Sequence, residues 1–172
     1  MGFCLVNNVA IAARHMQVVH DVARIAIVDF DVHHGNGTQD IFAEDDSVLY
    51  ASLHQVGIYP GTGARGEGGA TTVNVPLRPG CGDVEWLRAF EQYVEPAVVR
   101  FAPDLVLVSA GFDAHEEEDI YLVDQHVTDH GFRELAHRCA TLAPRVAAVL
   151  EGGYNVETLP RLVAAALDGF AD

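Results

Sequence analysis

An α/β fold, with a parallel sheet covered by helices on both faces, is what this sequence predicts, on three observations. Short apolar, β-branched runs recur along the 172-residue chain between stretches whose apolar residues fall at helical spacing, the alternation that builds strand-helix-strand units. The runs IAIV at 25–28 and LVLV at 105–108 are apolar at every position, as suits strands buried on both faces. Acids, a histidine and a tyrosine (Asp29, Asp31, His33; Asp113; Tyr154) follow such runs closely, and open α/β sheets carry their sites at the carboxyl ends of their strands.

Each element can be justified in turn. Asn7 or Asn8 can cap a helix running to about His20, whose density of Val, Ile and Ala predicts burial on most of its surface. A strand is expected over 25–32, a helical turn over 39–43 and a second apolar strand over 48–53, ending at His54. The glycine-rich loop 55–70 is long enough to be functional. Its Gly61, Gly63 and Gly66 match a dinucleotide fingerprint, but they lead into the strand-like TTVNVPL and not a helix, so that reading is rejected. Asp83 is expected to cap a helix through Val84, Leu87, Phe90, Val94, Val98 and Phe101, kinked at Pro96. Strand 105–109 follows. Thr128 then caps a helix with the stripe Phe132, Leu135, Ala136, Cys139 and Leu142, strand 146–150 comes next, and a last amphipathic helix closes the chain.

Composition narrows the function. Length and a hydrophobic content of 49% fit one domain with a well-buried core. No apolar run approaches a membrane span, and MGFCLVNN lacks the basic flank of a signal peptide, so a cytoplasmic protein is expected, and the Asn36-Gly37-Thr38 sequon carries no glycan. Cys4, Cys81 and Cys139 are widely spaced and read as buried thiols. The net charge is −15, and all ten basic residues are arginine. That disfavours direct nucleic-acid binding and suits cationic substrates, although solubility alone accounts for it as well.

The stretch RIAIVDFDVHHGNG at 24–37 carries the chemistry. If the extended chain continues past Val28, Asp29, Asp31 and His33 share one side while Phe30, Val32 and His34 share the other. Two carboxylates and an imidazole at the end of a buried strand are hard to desolvate unless they share a cation or a hydrogen-bond network. The alternative is a strand end whose polar groups cap the following turn. Mixed Asp and His ligation without Cys suits Zn²⁺, with Fe²⁺ able to use the same ligands. Asp113 and Tyr154, beyond other strands, can converge on the same place, and Tyr154 after two glycines is placed to donate to a forming oxyanion.

Taken together, GFCLVNNVAIAA at 2–13, DFDVHHGNGTQ at 29–39, YPGTG at 59–63, TVNVPL at 72–77, SAGFDAH at 109–115 and LEGGYN at 150–155 resemble the histone deacetylase and acetylpolyamine amidohydrolase family, of the arginase-deacetylase fold. The resemblance implies a zinc-dependent amidohydrolase that removes acyl groups from lysine side chains or polyamines. It implies zinc held by Asp31, His33 and Asp113, with Tyr154 as the catalytic hydroxyl and Asp29 and Asn36 behind the ligands. It also implies a substrate tunnel at Phe3, Tyr59 and Gly153, and a structural K⁺ on the main-chain oxygens of Asp29, Asp31, His33, Ser52 and Leu53.

This chain departs from the family pattern at several points. Asn36, and the Glu151 that precedes GGYN, point toward the class II branch. Tyr59 adds a hydroxyl where an aromatic, often Phe, lines the tunnel, and Glu118-Asp119-Ile120 replaces the usual Asp-Pro-Leu. Family members also carry a catalytic pair of histidines upstream of the GFC motif, and His33-His34 cannot substitute for it. The chain therefore reads as the carboxy-terminal portion of such a catalytic domain. Two alternatives remain: a remnant that binds metal and acyl ligands without turnover, and an arginase-like metallohydrolase, whose second metal needs more carboxylates than can be placed beside Asp31. A homo-oligomer that covers the side nearest the amino terminus is expected.

Overall fold

The computed structural model describes residues 5–172. Strands β1 (Ile25–Asp29), β2 (Val48–Gln55), β3 (Thr72–Leu77), β4 (Cys81–Gly82), β5 (Leu105–Ala110), β6 (Gln125–His126) and β7 (Val146–Leu150) alternate with helices α1 (Asn8–His20), α2 (Asn36–Phe42), α3 (Asp83–Ala89), α4 (Glu95–Phe101), α5 (Asp129–Thr141) and α6 (Leu159–Ala171). Five strands form one wholly parallel sheet in the order β3-β2-β1-β5-β7, while β4 and β6 make a separate two-residue pair. From β1 the chain winds outward through β2 and β3, then returns to β5 on the other side of β1. The strand order therefore reverses between β1 and β5, the place where open sheets of this kind form a crevice beyond their carboxyl ends.

Strand alternation divides the core in two. Ala26, Val28, Val106, Val108 and Ala110 face one layer, built by α3, α4, α5 and α6 with Trp86, Phe90, Phe132 and Leu162 at its centre. Ile25, Ile27, Leu105 and Leu107 face the other, closed by Val9, Ala10 and Ala13 of α1 and Phe42 of α2. Burial on both faces of β1, β2 and β5 explains why these strands read as continuous apolar runs.

Several expectations are corrected. β1 stops at Asp29 and does not reach residue 32, because Asp29 Oδ1 accepts the Asp31 N–H (3.1 Å) and Asp31 Oδ1 accepts the His33 N–H (2.8 Å). Two side-chain turns in succession draw the backbone out of the ladder. The helix after β1 begins at Asn36, earlier than expected. Gly82 is the N-cap residue of α3, not Asp83, and its N–H is taken by the Glu85 carboxylate (3.0 Å). The expected kink at Pro96 is absorbed upstream by a π-helical turn at Phe90–Val94, in which the Glu95 N–H reaches back to the Phe90 carbonyl. Proline has no N–H and crowds the carbonyl four residues earlier, so widening that turn accommodates it.

Among the described residues, cover over α1 and β7 is incomplete. α1 is capped by Asn7 as expected, but Ile11, Val18 and Val19 are each more than half exposed. β7, an apolar VAAVL strand, has Ala147, Ala148 and Leu150 exposed. Cys139 is buried and Cys81 half-buried. Among the described residues no helix is long and apolar enough to cross a membrane.

Freed from capping its own helix, Asp83 serves another: its carboxylate accepts the Thr128 N–H (2.8 Å) and hydroxyl (2.6 Å) at the start of α5. Asp83→Ala should cost about 1–2 kcal/mol, the range for a lost cap or charged hydrogen bond, and Asp83→Asn less. Urea midpoints at constant m-value measure both; an unchanged midpoint for the alanine variant would remove this tie from the fold.

Candidate metal centre

Three side chains meet at the crevice between β1 and β5. One ligand-capable atom from each of Asp31, His33 and Asp113 lies within 4.8 Å of the others. His33 Nδ1 is 3.0 Å from Asp31 Oδ1 and 3.0 Å from Asp113 Oδ2. The remaining Asp113 oxygen accepts the Val32 N–H (2.8 Å), and Asp31 Oδ2 accepts the Gly152 N–H (2.9 Å). Backbone N–H groups just beyond β1 and β7 thus orient both carboxylates.

Alternation of side chains survives past the strand ends and does the aiming. Phe30, Val32, Phe112 and Ala114 go into the core, where the Phe30 and Phe112 rings both pack on Phe132 (centroids 5.9 and 5.1 Å). The intervening Asp31, His33 and Asp113 are left to point out of it. Gly111 and Gly152 complete the wall: a Cβ at the first would strike the Asp31 carboxylate, and one at the second both carboxylates.

Charge is the organising problem of the cluster. Asp113 is fully buried, and burial followed by the neighbouring Asp31 charge pushes its carboxyl up to about 7 despite His33 beside it. Burial opposes a charge on His33, yet the hydrogen bonds and charges of Asp113 and Asp31 outweigh it and push the imidazole up to about 10. Glu151 is raised by burial and by Asp31. The pocket therefore holds a proton where a cation would serve as well. Two carboxylates and one imidazole nitrogen fit a divalent zinc-like ion, whose catalytic sites use three protein ligands of this kind.

The other candidates fall around this cluster. Asp29, buried by 97%, is raised well above the ordinary carboxylate range by burial and Asp31; it supports the Asp31 backbone and accepts the Tyr50 hydroxyl (2.8 Å). The Tyr59 ring lies edge-on to His33 at 6.5 Å. Gly153, at φ +119°, turns the chain beside Phe112, and Tyr154 follows, half-exposed. Asn36 opens α2 with its N–H on the His34 carbonyl (2.9 Å). Ser52 and Leu53 lie in β2, where Ser52 is the register partner of Asp29. Phe3 lies outside the described residues. His34 turns away from the cluster, as alternation requires, onto Thr62 Oγ1 (2.8 Å) and Gln39 Oε1 (3.0 Å).

The sequence carries no sign of the wall formed by Gly111 beyond its being a glycine directly after a strand, and none of the bonds made by Glu118. The Glu118 carboxylate accepts the N–H groups of Tyr154 (2.8 Å) and Asn155 (3.0 Å), and nothing local to Glu118 reveals it.

The model of the histone deacetylase domain matches residues 1–170. Histone deacetylase 14, chloroplastic, of Arabidopsis thaliana is 47% identical over 95% of this chain and 41% of its own length, and a probable deacetylase of Archaeoglobus fulgidus is 42% identical over 98% and 50%. Among solved structures, the HDA15 HD domain superposes with a TM-score of 0.92 at 40% identity, and an acetylpolyamine aminohydrolase from Burkholderia pseudomallei with 0.88 at 34% identity; this chain covers 50% and 51% of those chains. It thus spans about half the length of the relatives it matches, and by its match to the domain model over nearly its whole length the chain belongs to the histone deacetylase family.

Proposed function

We propose that this chain carries the metal centre of a zinc-dependent amidohydrolase that removes acetyl groups from lysine side chains or polyamines, in the cytoplasm. The convergence of Asp31, His33 and Asp113 at the β1–β5 crevice carries this reading. Zinc, or Fe²⁺ on the same ligands, supplies Lewis acidity to an amide carbonyl and to water when bound. Asp113 and Asp31 hold the charge, and the Val32 and Gly152 N–H groups keep their oxygens aimed. Tyr154 donates its hydroxyl to the oxygen that becomes negative as the amide is attacked. Tyr59 and Gly153 line the approach for the acyl arm, with Phe3 as a further wall, and Asp29 and Asn36 support the ligands from behind. Adjacent register of Asp29 and Ser52 across β1 and β2 supports a structural K⁺ on the main-chain oxygens of Asp29, Asp31, His33, Ser52 and Leu53. The net charge of −15 suits a cationic substrate such as an acetylpolyamine or a basic protein tail.

One observation favours a second reading. Attack by water needs a proton acceptor, and His34 is committed to Thr62 and Gln39. Metal and acyl-ligand binding without turnover is the function left if no other base is supplied. Incubation with an acetyl-lysine peptide and with acetylputrescine decides: the amidohydrolase reading expects metal-dependent release of acetate, reduced about 10²-fold in Tyr154→Phe, the size typical of one lost oxyanion donor. Binding of both ligands with no acetate released selects the second reading.

Elemental analysis of the purified protein should find one divalent ion per chain, lost in Asp113→Ala. The ion displaces the proton that the cluster otherwise holds. With His33 near 10 the imidazole is protonated below that pH, and Asp113 near 7 takes a second proton on acidification. Apparent affinity should then rise about tenfold per pH unit between 7 and 9 and more steeply below 7. A pH-independent affinity would show that no proton is displaced.

The open β7 and the exposed Ile11, Val18 and Val19 of α1 support self-association of the isolated chain, since an uncovered apolar edge strand is a pairing template. Light scattering at micromolar concentration should give a dimer or larger; a monomer counts against it.

A further inference from the structure

Tyr154 follows Gly152 and Gly153, and two successive glycines leave a side chain free to swing unless the backbone is tied elsewhere. The Phe112 N–H reaches the Gly152 carbonyl (2.8 Å), and Gly152 donates to Asp31, but both bonds lie before the turn at Gly153. After that turn one carboxylate oxygen gathers both successive amides: Glu118 Oε1 accepts the N–H of Tyr154 at 2.8 Å and that of Asn155 at 3.0 Å, while the Asn155 carbonyl accepts the Leu159 N–H (2.9 Å) at the start of α6. The Asn155 side-chain amide adds a bond to the Glu117 carbonyl (3.0 Å).

The segment that presents Glu118 is itself anchored. The Glu118 N–H donates to the His115 carbonyl (3.0 Å), buried His115 meets Asp129 at 3.1 Å, and Arg161 spans Asp129 (2.9 Å) and Glu117 (2.5 Å). Glu117 is thus taken up by an arginine and Glu116 is exposed. Among the four consecutive acids at 116–119, Glu118 is the one whose carboxylate accepts the N–H groups of the tyrosine turn.

We propose that Glu118 is a positioning residue: by gathering two consecutive N–H groups on one oxygen it fixes where the Tyr154 hydroxyl stands relative to the Asp31, His33 and Asp113 cluster. This rests on the role given to Tyr154 above. Amide bonds to an ionised acceptor are short and strong, and one acceptor shared by neighbouring N–H groups fixes the direction of the backbone between them. The same segment that ends in Glu118 begins at Asp113, so one loop sets both a metal-ligating group and the phenol.

The test uses Glu118→Leu, which removes the acceptor, and Glu118→Gln, which keeps an amide oxygen at the same reach. Amide hydrogen exchange followed by NMR reads the tie without any turnover. Exchange at Tyr154 and Asn155 should speed at least tenfold in Glu118→Leu and by much less in Glu118→Gln, with β5 and α5 unchanged. In the deacetylation assay Glu118→Leu should lower kcat at least tenfold with KM within threefold, Glu118→Gln should restore most of it, and Glu118→Leu should add no further loss in a Tyr154→Phe background. Unchanged exchange in Glu118→Leu overturns the proposal, as does a kcat loss that persists in full in that background. Absence of turnover in the unsubstituted protein would count against the amidohydrolase reading, and the exchange measurement would then decide the tie by itself.

Discussion

Everything near the crevice follows from two carboxylates, Asp31 and Asp113, being drawn out of water side by side. Asp113 has no solvent exposure at all, and like charges held close together in a poorly polarisable interior repel more strongly than in water. The fold answers with His33 Nδ1 placed equally close to both, and with an N–H donor on each carboxylate. These donors reduce the repulsion and leave a net need for positive charge, which a proton meets partly and a divalent ion more fully. Removing His33 or either donor would leave the charge less compensated, so the arrangement holds together as a unit.

Precision in that unit comes from the hydrophobic core. Phe30 and Phe112 precede Asp31 and Asp113 by one residue each, and both rings lock onto Phe132 from α5. Any shift of either carboxylate would have to move an aromatic ring in a close-packed layer. Topology contributes too, because the strand order reverses between β1 and β5 and leaves room for a crevice where these two loops diverge.

Much of this was legible in the residues. Continuous apolar runs marked the buried strands, and acids just beyond them marked the site, since both signals are local in sequence. The signal failed where a side chain competed with the backbone or where a partner lay far away in the chain. The Asp29 and Asp31 turns ended β1 early, and Asp83 capped a helix that starts 46 residues later in the chain, at Asp129. Tyr50 and Asp29 meet across strands and Glu118 meets Tyr154 across 36 positions, neither of which any periodicity encodes. Burial of α1 was overestimated for another reason: apolar content reports a capacity to be covered, and only what packs against the helix decides whether it is.

That distinction also separates the Asp31, His33 and Asp113 cluster from the proposed hydroxyl donor. Asp31, His33 and Asp113 descend from β1 and β5, which have neighbours on both sides and layers on both faces. Tyr154 descends from β7, an edge strand with exposed Ala147, Ala148 and Leu150. Edge strands with little cover open locally at lower free energy than central ones. The segment that carries Tyr154 therefore follows the less supported element, and cross-ties join it to the better supported one: Phe112 to Gly152, Gly152 to Asp31, and Glu118 to Tyr154 and Asn155. All of these run to residues 31–118, so the centre of the sheet contributes to the position of Tyr154 beyond what the preceding strand supplies.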